Sequence, residues 1–156
     1  MDNTMIEHDT IIIRPPRSDE MPEVLALRNI VLNRTVGQPD QTVPSMGDQH
    51  EDTIHVAAFD GSHIVGTARF DMYPDHADTY LVRRVATDPD YRRRGIGAGV
   101  MRLGEQLAQQ QGGAQHLVLH AREEAITFYK SLGYILTGKS EVHDGNENWE
   151  MTKSVR

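Results

Sequence analysis

The chain has 156 residues, 38% hydrophobic and 25% charged, enough to bury one core without a disulfide or structural metal, and it predicts a single domain over residues 1–156. No apolar run approaches the length that spans a bilayer, and zero cysteines remove disulfides, thiolate metal sites and cysteine nucleophiles together. A formal charge of −7 argues against attraction of the whole surface to nucleic acid or anionic lipid, so neither a nucleic acid nor a membrane is expected as a partner.

Asp2, Glu7 and Asp9 stand where a secretory signal would place basic residues, so a cytoplasmic location is expected. Ile11, Ile12 and Ile13 read as a short buried strand stopped by Arg14-Pro15-Pro16, because proline lacks a ladder donor. Ser18 is placed to cap an amphipathic helix in which Met21, Val24, Leu25, Leu27, Ile30 and Val31 recur at helical spacing. Residues 35–50 are polar, rich in turn formers and without period, which reads as a functional or mobile loop.

Ile54 to Phe59 and His63 to Phe70 are β-rich runs joined by Asp60-Gly61-Ser62, a hairpin signal, and Tyr80 to Ala86 is a third strand. Ile96, Val100, Leu103 and Leu107 then form an apolar stripe on a helix that ends at Gly112-Gly113. Leu117 to Leu119 form the core of another strand. Glu123 and Glu124 open a short helix with Ala125, Phe128 and Leu132 on one face, closed by Lys130 and Gly133. Tyr134 to Val142 and Trp149 to Thr152 flank Asp144-Gly145-Asn146, a second hairpin. The resulting order of strand, helix, three strands, helix, strand, helix and two strands predicts a mixed sheet covered by helices.

The strongest local feature is a strand that leads through Asp88-Pro89-Asp90 into Arg92-x-x-Gly95-x-Gly97 and straight into a helix. A helix N-terminus exposes unpaired N–H groups and the positive end of the dipole, so it attracts phosphate without any particular side chain. Arg92, Arg93 and Arg94 add charge at the rim, where pyrophosphate or a ribose phosphate can be paired bidentately. The bland alternative is tight helix packing by the glycines and a solvated run of arginines. Five arginines between positions 83 and 94, on an otherwise acidic protein, favour a small anionic ligand. Ala98 and Gly99 after Gly97 rule out a nucleotide P-loop, and Val100 breaks a dinucleotide fingerprint starting at Gly95.

Eight histidines do not form a metal-binding pattern: His50-Glu51 is followed by His55 at the wrong spacing for a zinc helix, and His116 and His120 lack a third ligand nearby in sequence. No metal is expected. No Gly-x-Ser-x-Gly elbow supports a hydrolase.

Arg92, Gly95 and Gly97 together with Ala125-Ile126-Thr127-Phe128-Tyr129-Lys130-Ser131-Leu132-Gly133-Tyr134 resemble two motifs of the general-control-related N-acetyltransferase (GNAT) superfamily. Ile11 to Pro15 is similar to its first strand, and Gly66-Thr67-Ala68-Arg69 resembles a stretch common in its bacterial members. The resemblance implies an α/β fold with a mixed, mostly antiparallel sheet of six to seven strands, about four helices and a splayed parallel strand pair. It implies acetyl-CoA as co-substrate and transfer of its acetyl group to a primary amine, on a small molecule or peptide, by direct attack in a ternary complex. A homodimer is implied by family habit, and the alternative is a catalytically inactive acyl-CoA-binding or regulatory domain.

Carried over by position, Val85, Ala86 and Thr87 would run beside the pantetheine arm, with backbone groups of Val85 and Thr87 bonding it. The amides of Arg92, Arg93, Arg94, Gly95, Ile96, Gly97 and Ala98 would bind the pyrophosphate, and Phe128 and Ser131 would border the arm. The Val85 N–H would hold the developing oxyanion, and Tyr129 would be the general acid that protonates the departing thiolate. Members with a glutamate base four residues before the position of Val85 differ from this chain, which has Leu81 there. His55, His120, Asp71, Glu123 or a water chain remain as ways to deprotonate the amine.

Overall fold

The computed structural model describes residues 6–8, 10–33, 47–143 and 145–155, with side chains described from residue 10 onward. The loop expected at 35–50 therefore falls mostly outside the described residues, as does Asp144 of the second hairpin; what is described of that loop, around Gly47 to Gln49, is a turn.

Eight strands form one sheet: β1 (Ile6–His8), β2 (Ile11–Arg14), β3 (Ile54–Asp60), β4 (His63–Tyr73), β5 (His76–Thr87), β6 (His116–Ala121), β7 (Ile135–His143) and β8 (Asn146–Ser154). Their spatial order is β1-β2-β3-β4-β5-β6-β8-β7. Every adjacent pair is antiparallel except β5 and β6. A parallel pair needs a crossover, and helix α2 (Ile96–Gly112) supplies it. The other α-helices are α1 (Met21–Arg28) and α3 (Ile126–Ser131), with short 3-10 turns at Ser18–Glu20, Pro89–Tyr91 and Glu123–Ala125 and a π turn at Asn29–Asn33. The mixed α/β architecture matches the expectation. Strand β1 was not foreseen, and among the described residues three α-helices with short turns stand where about four helices were expected.

The central strands are covered on both faces, which is why β4 reads as a nearly unbroken buried run from Ile64 to Phe70. Ile54, Val56 and Ala58 of β3 face the large core under α2, whereas Ala57 and Phe59 turn to the smaller cluster under α1 with Val24, Leu27 and Ile64. Strand alternation thus divides one sequence between two layers.

Two sequence expectations are corrected. Ser18 does not cap α1; the Glu20 carboxylate accepts from the Arg17 backbone N–H at 2.8 Å and holds the Arg14 guanidinium through two further bonds at 2.9 and 2.8 Å. A carboxylate with three donors is bound more strongly than a serine hydroxyl with one, and Arg14 beside it pulls the Glu20 pKa down to about 2. Phe128 does not share the core face of α3. Ala125, Ile126, Tyr129 and Leu132 pack on the core, and Phe128 is 36% exposed.

Helix α2 presents the expected stripe, with Ile96, Val100, Leu103 and Leu107 all buried. It also lies unusually close to the sheet, because a Cβ on Gly99 would collide with Ile13, one on Gly104 with the Phe70 ring, and one on Gly112 with Tyr80. Phe70 is fully buried and has nowhere to retreat. Overpacking of this kind costs ~1–3 kcal/mol or more, which opposes the ~1 kcal/mol that alanine gains over glycine in a helix. Gly104→Ala is expected to lower the thermal unfolding midpoint, and an unchanged or raised midpoint in calorimetry would show that the helix can slide outward freely.

Candidate active site

The site begins with a fault in β5. Thr67 of β4 pairs with Ala86 and Arg69 pairs with Arg83, so two steps on β4 are matched by three on β5. The extra residue is absorbed at Arg84, whose φ of 55° is left-handed. The parallel ladder with β6 ends just before this bulge: Thr79, Tyr80 and Leu81 pair with His116, Leu117 and Val118, and no later pair follows. Strand β6 stays bound to β8 as far as Ala121. The end of β5 therefore splays from β6 and leaves an opening between them.

A cleft of about 550 Å³ lies against the splayed end of β5. Val85, Ala86 and Thr87 form one wall and Phe128 and Tyr129 the other, with Arg92, Arg93 and Gly95 to Ala98 at one end. Val31, Tyr91, Glu124 and Ala125 also reach it, and none of these four was singled out from sequence as a site residue. Of the anticipated site residues, Arg94 and Ser131 are not part of the lining. Arg94 instead lies over the Tyr91 ring at 5.0 Å, and the Ser131 hydroxyl donates to the Phe128 carbonyl, which fixes the turn of α3.

The entry to α2 is built by local geometry. Asp88 accepts from the Asp90 N–H at 2.9 Å, and the Tyr91 hydroxyl donates to Asp60 at 2.6 Å, tying the turn to the β3–β4 hairpin. Arg93 and Gly95 have φ of 64° and 76°, a pair of left-handed residues that turns backbone N–H groups toward one concave side. The first carbonyl, Gly95, accepts from Gly99 at 2.9 Å, so the amides of Ile96, Gly97 and Ala98 precede the intrahelical ladder. A side chain on Gly97 would put its Cβ 3.1 Å from Phe128; glycine keeps the floor of the cleft open.

At the far wall Tyr129 is half-buried, edge-on to Phe128 at 5.1 Å and to Tyr134 at 6.0 Å. Burial pushes its pKa up to about 12, because the phenolate would lose its hydration. Its hydroxyl has no hydrogen-bond partner among the described residues, whereas the neighbouring Tyr134 hydroxyl donates to Glu105 at 2.7 Å. The cleft is thus lined both by the first turn of α2 and by the phenol-bearing Tyr129.

The opposite face of the sheet carries a polar cluster that sequence reasoning did not resolve. Arg28 and Arg69 both donate to Asp48 Oδ1, at 2.8 and 2.9 Å, and Arg69 donates to Asp71 at 2.8 Å. His55 Nε2 lies 2.9 Å from the Asp48 carbonyl, and burial lowers its pKa, so the ring is neutral at pH 7. On the other side of β5, His120 Nε2 is 3.5 Å from Glu141 and 3.8 Å from Glu150. Of the four candidate bases, Glu123 is exposed on the turn before α3 and His55 is held within the cluster. Asp71 lies in register with Leu81, and its Oδ1 is buried without a partner among the described residues. No group of three or more His, Asp or Glu side chains is placed to hold a metal among the described residues, and no described helix is long and apolar enough to cross a membrane.

A mixed α/β fold with a cleft at a strand splay is the class that this geometry defines, and sequence comparison supplies the family. The chain belongs to the acetyltransferase (GNAT) family, whose model matches residues 23–134. It is 28% identical over 118 residues to the uncharacterized N-acetyltransferase YjcF of Bacillus subtilis, covering 73% of this chain and 81% of that one. In fold it is similar to an acyl-CoA N-acyltransferase from Pseudomonas aeruginosa, with a TM-score of 0.78 and 20% identity over 92% of this chain and 97% of the other. It is also similar to an aminoglycoside 6'-N-acetyltransferase complexed with coenzyme A, with a TM-score of 0.77 and 15% identity over 92% and 97% of the two chains.

The cluster beneath the site yields a stability test. Removing the Asp48 carboxylate leaves the guanidinium groups of Arg28 and Arg69, whose side chains are 5% and 0% exposed, without their shared counter-charge. Breaking a buried pair in this way costs about 3–5 kcal/mol. Asp48→Ala is expected to lose that much in urea unfolding; a loss below about 1 kcal/mol would mean that the cluster is solvated.

Proposed function

We propose that the protein transfers the acetyl group of acetyl-CoA to a primary amine by direct attack, with both substrates bound at once. The observation that supports this reading is one cleft lined by the splayed end of β5, by a helix N-terminus and by Tyr129, whose hydroxyl has no partner among the described residues. Acetyl-CoA supplies the thioester; every other requirement falls on residues of this chain.

The amides of Ile96, Gly97 and Ala98, with those of the Arg92 to Gly95 turn, would hold the pyrophosphate, and Arg92 and Arg93 at the rim would add charge. Arg94 would act through its contact with Tyr91 rather than directly. Val85, Ala86 and Thr87 would run beside the pantetheine arm with Phe128 opposite, and Ser131 would keep α3 in place. The Val85 N–H, on an edge that no strand covers, would stabilise the oxyanion. Tyr129 would donate its proton to the sulfur as the C–S bond breaks.

The amine must first lose a proton. Asp71 and His120 stand on the face of the sheet away from α2, either side of β5, and either would accept it through water. A second copy of the chain would cover Ile135 and Val142, 65% and 69% exposed on the edge strand β7, and sedimentation reads whether it does.

The phenol pKa is raised above its ordinary value of 10, so the donor form is complete below pH 10 and is lost only as pH rises through about 12. Tyr129→Phe is therefore expected to lower kcat by roughly 100-fold or more, by the same factor at pH 6.5 and pH 8.5, with little change in the calorimetric Kd for CoA. Unchanged turnover removes the role of Tyr129. Acetyl-CoA binding with no thiol release across an amine panel would instead mark a catalytically inactive acyl-CoA-binding domain. Gly97→Val, whose side chain enters the cleft, is expected to weaken CoA binding by at least tenfold without lowering thermal stability.

A further inference from the structure

Two neighbouring phenols, Tyr129 and Tyr134, are held in opposite ways. Tyr134 is buried and stands outside the cleft lining, and its hydroxyl donates to Glu105 Oε2 at 2.7 Å. Burial and the Glu105 carboxylate raise its pKa far above the ordinary tyrosine range, so its proton stays on that bond. Tyr129 lines the cleft, and its hydroxyl has no hydrogen-bond partner among the described residues. A proton donor with no hydrogen bond to fix it is aimed by its backbone and by the rings around it.

Tyr134 supplies both restraints. Its N–H donates to the Tyr129 carbonyl at 3.1 Å, and its ring stands edge-on to the Tyr129 ring at 6.0 Å, a geometry that aromatic pairs favour. Phe128, on the other side at 5.1 Å, is exposed in the cleft and offers no comparable anchor. Glu105 in turn fixes Tyr134. Its second oxygen, Oε1, accepts from Lys153 Nζ at 2.7 Å, and that ammonium also lies 5.6 Å from the centre of the Tyr134 ring. One carboxylate thus ties the chain after α3 and strand β8 to helix α2.

We propose that Tyr134 and Glu105 are positioning residues that aim the Tyr129 phenol, with the Tyr134–Glu105 hydrogen bond as the strut between α2 and the proton donor. The proposal rests on the acetyl-transfer reading above and adds to it two residues that touch neither substrate. Acetyl-CoA carries its phosphates and its sulfur at opposite ends of one arm, so the donor must be placed relative to the amides that hold the phosphates. Helix α2 is the common reference. Its first turn lines the cleft, and Glu105 stands ~13 Å further along the same helix at a rise of ~1.5 Å per residue. A misplacement of about 1 Å can lower a rate by ~100-fold, so a strut that costs little in stability can matter greatly to turnover.

The test is a double-mutant cycle on the full chain. Tyr134→Phe keeps the ring and removes the strut; it is expected to lower kcat about tenfold, with the KM for acetyl-CoA and the calorimetric Kd for CoA within twofold of wild type. In a Tyr129→Phe background the same substitution is expected to change kcat by less than twofold, because the group being aimed is gone. Glu105→Leu is expected to match Tyr134→Phe, and Glu105→Gln to retain most of kcat, since its amide oxygen still accepts from the phenol. Carbon-13 relaxation of the Tyr129 ring in substrate-free protein reads the restraint directly, and its order is expected to fall in Tyr134→Phe. Unchanged kcat in Tyr134→Phe, an equal loss in both backgrounds, or unchanged ring order overturns the inference. Absence of turnover in the wild-type chain would instead defeat the acetyl-transfer reading, and the ring order, which needs no substrate, would still decide whether the strut holds Tyr129.

Discussion

The bulge at Arg84 is the constraint on which the site depends. Three residues of β5 span what two residues of β4 span, and the strand leaves β6 after Leu81. Had the parallel ladder continued, the backbone of Val85 to Thr87 would be committed to hydrogen bonds with β6 and the cleft would close. The bulge frees that edge. One local irregularity thus sets the edge along which the proposed reaction runs, at a strained, non-glycine residue in the middle of a central strand.

The bulge is usable because the elements around it are held rigidly. Helix α2 sits against the sheet at glycine-limited distance, with Ile13, Phe70 and Tyr80 filling the space that side chains on Gly99, Gly104 and Gly112 would take. The first turn of the same helix forms one end of the cleft, so packing at its middle determines where its N-terminal amides point. On the other layer, the Arg28–Asp48–Arg69 cluster fastens the end of α1 and the turn at Gly47 to β4. Burial makes these pairs sensitive to truncation and lowers the local dielectric around Arg84.

Much of this was legible in the residues, and for physical reasons. The apolar stripe of α2 survives in the fold because Ile96, Val100, Leu103 and Leu107 have a period that only a helix can bury. The entry Arg92 to Gly97 was legible because left-handed turns need residues that tolerate positive φ, and because a helix start is a local event. What failed was what depends on a neighbour distant in sequence. Ser18 caps nothing because Glu20, held by Arg14, accepts from the Arg17 N–H ahead of the preceding turn, and α1 itself has no side-chain cap. Phe128 was placed on the core by helical spacing, yet the splay opened a cleft on its side of α3. Arg84 was visible only as one arginine of a basic patch.

By itself the sequence determined the elements from β2 onward and their order, the phosphate-ready turn and the pairing of motifs that mark the family, since each rests on contacts within about one helical turn or one hairpin. Only the tertiary structure decided which residues share the cleft, that Arg94 and Ser131 stand outside its lining, and that the Tyr129 phenol is kept protonated by burial. It also decided that Arg28, Asp48 and Arg69 meet, although the first two are 20 residues apart and Arg28 and Arg69 belong to different layers. Strand register and desolvation are properties of the assembled sheet, and a side chain has neither until its neighbours are in place.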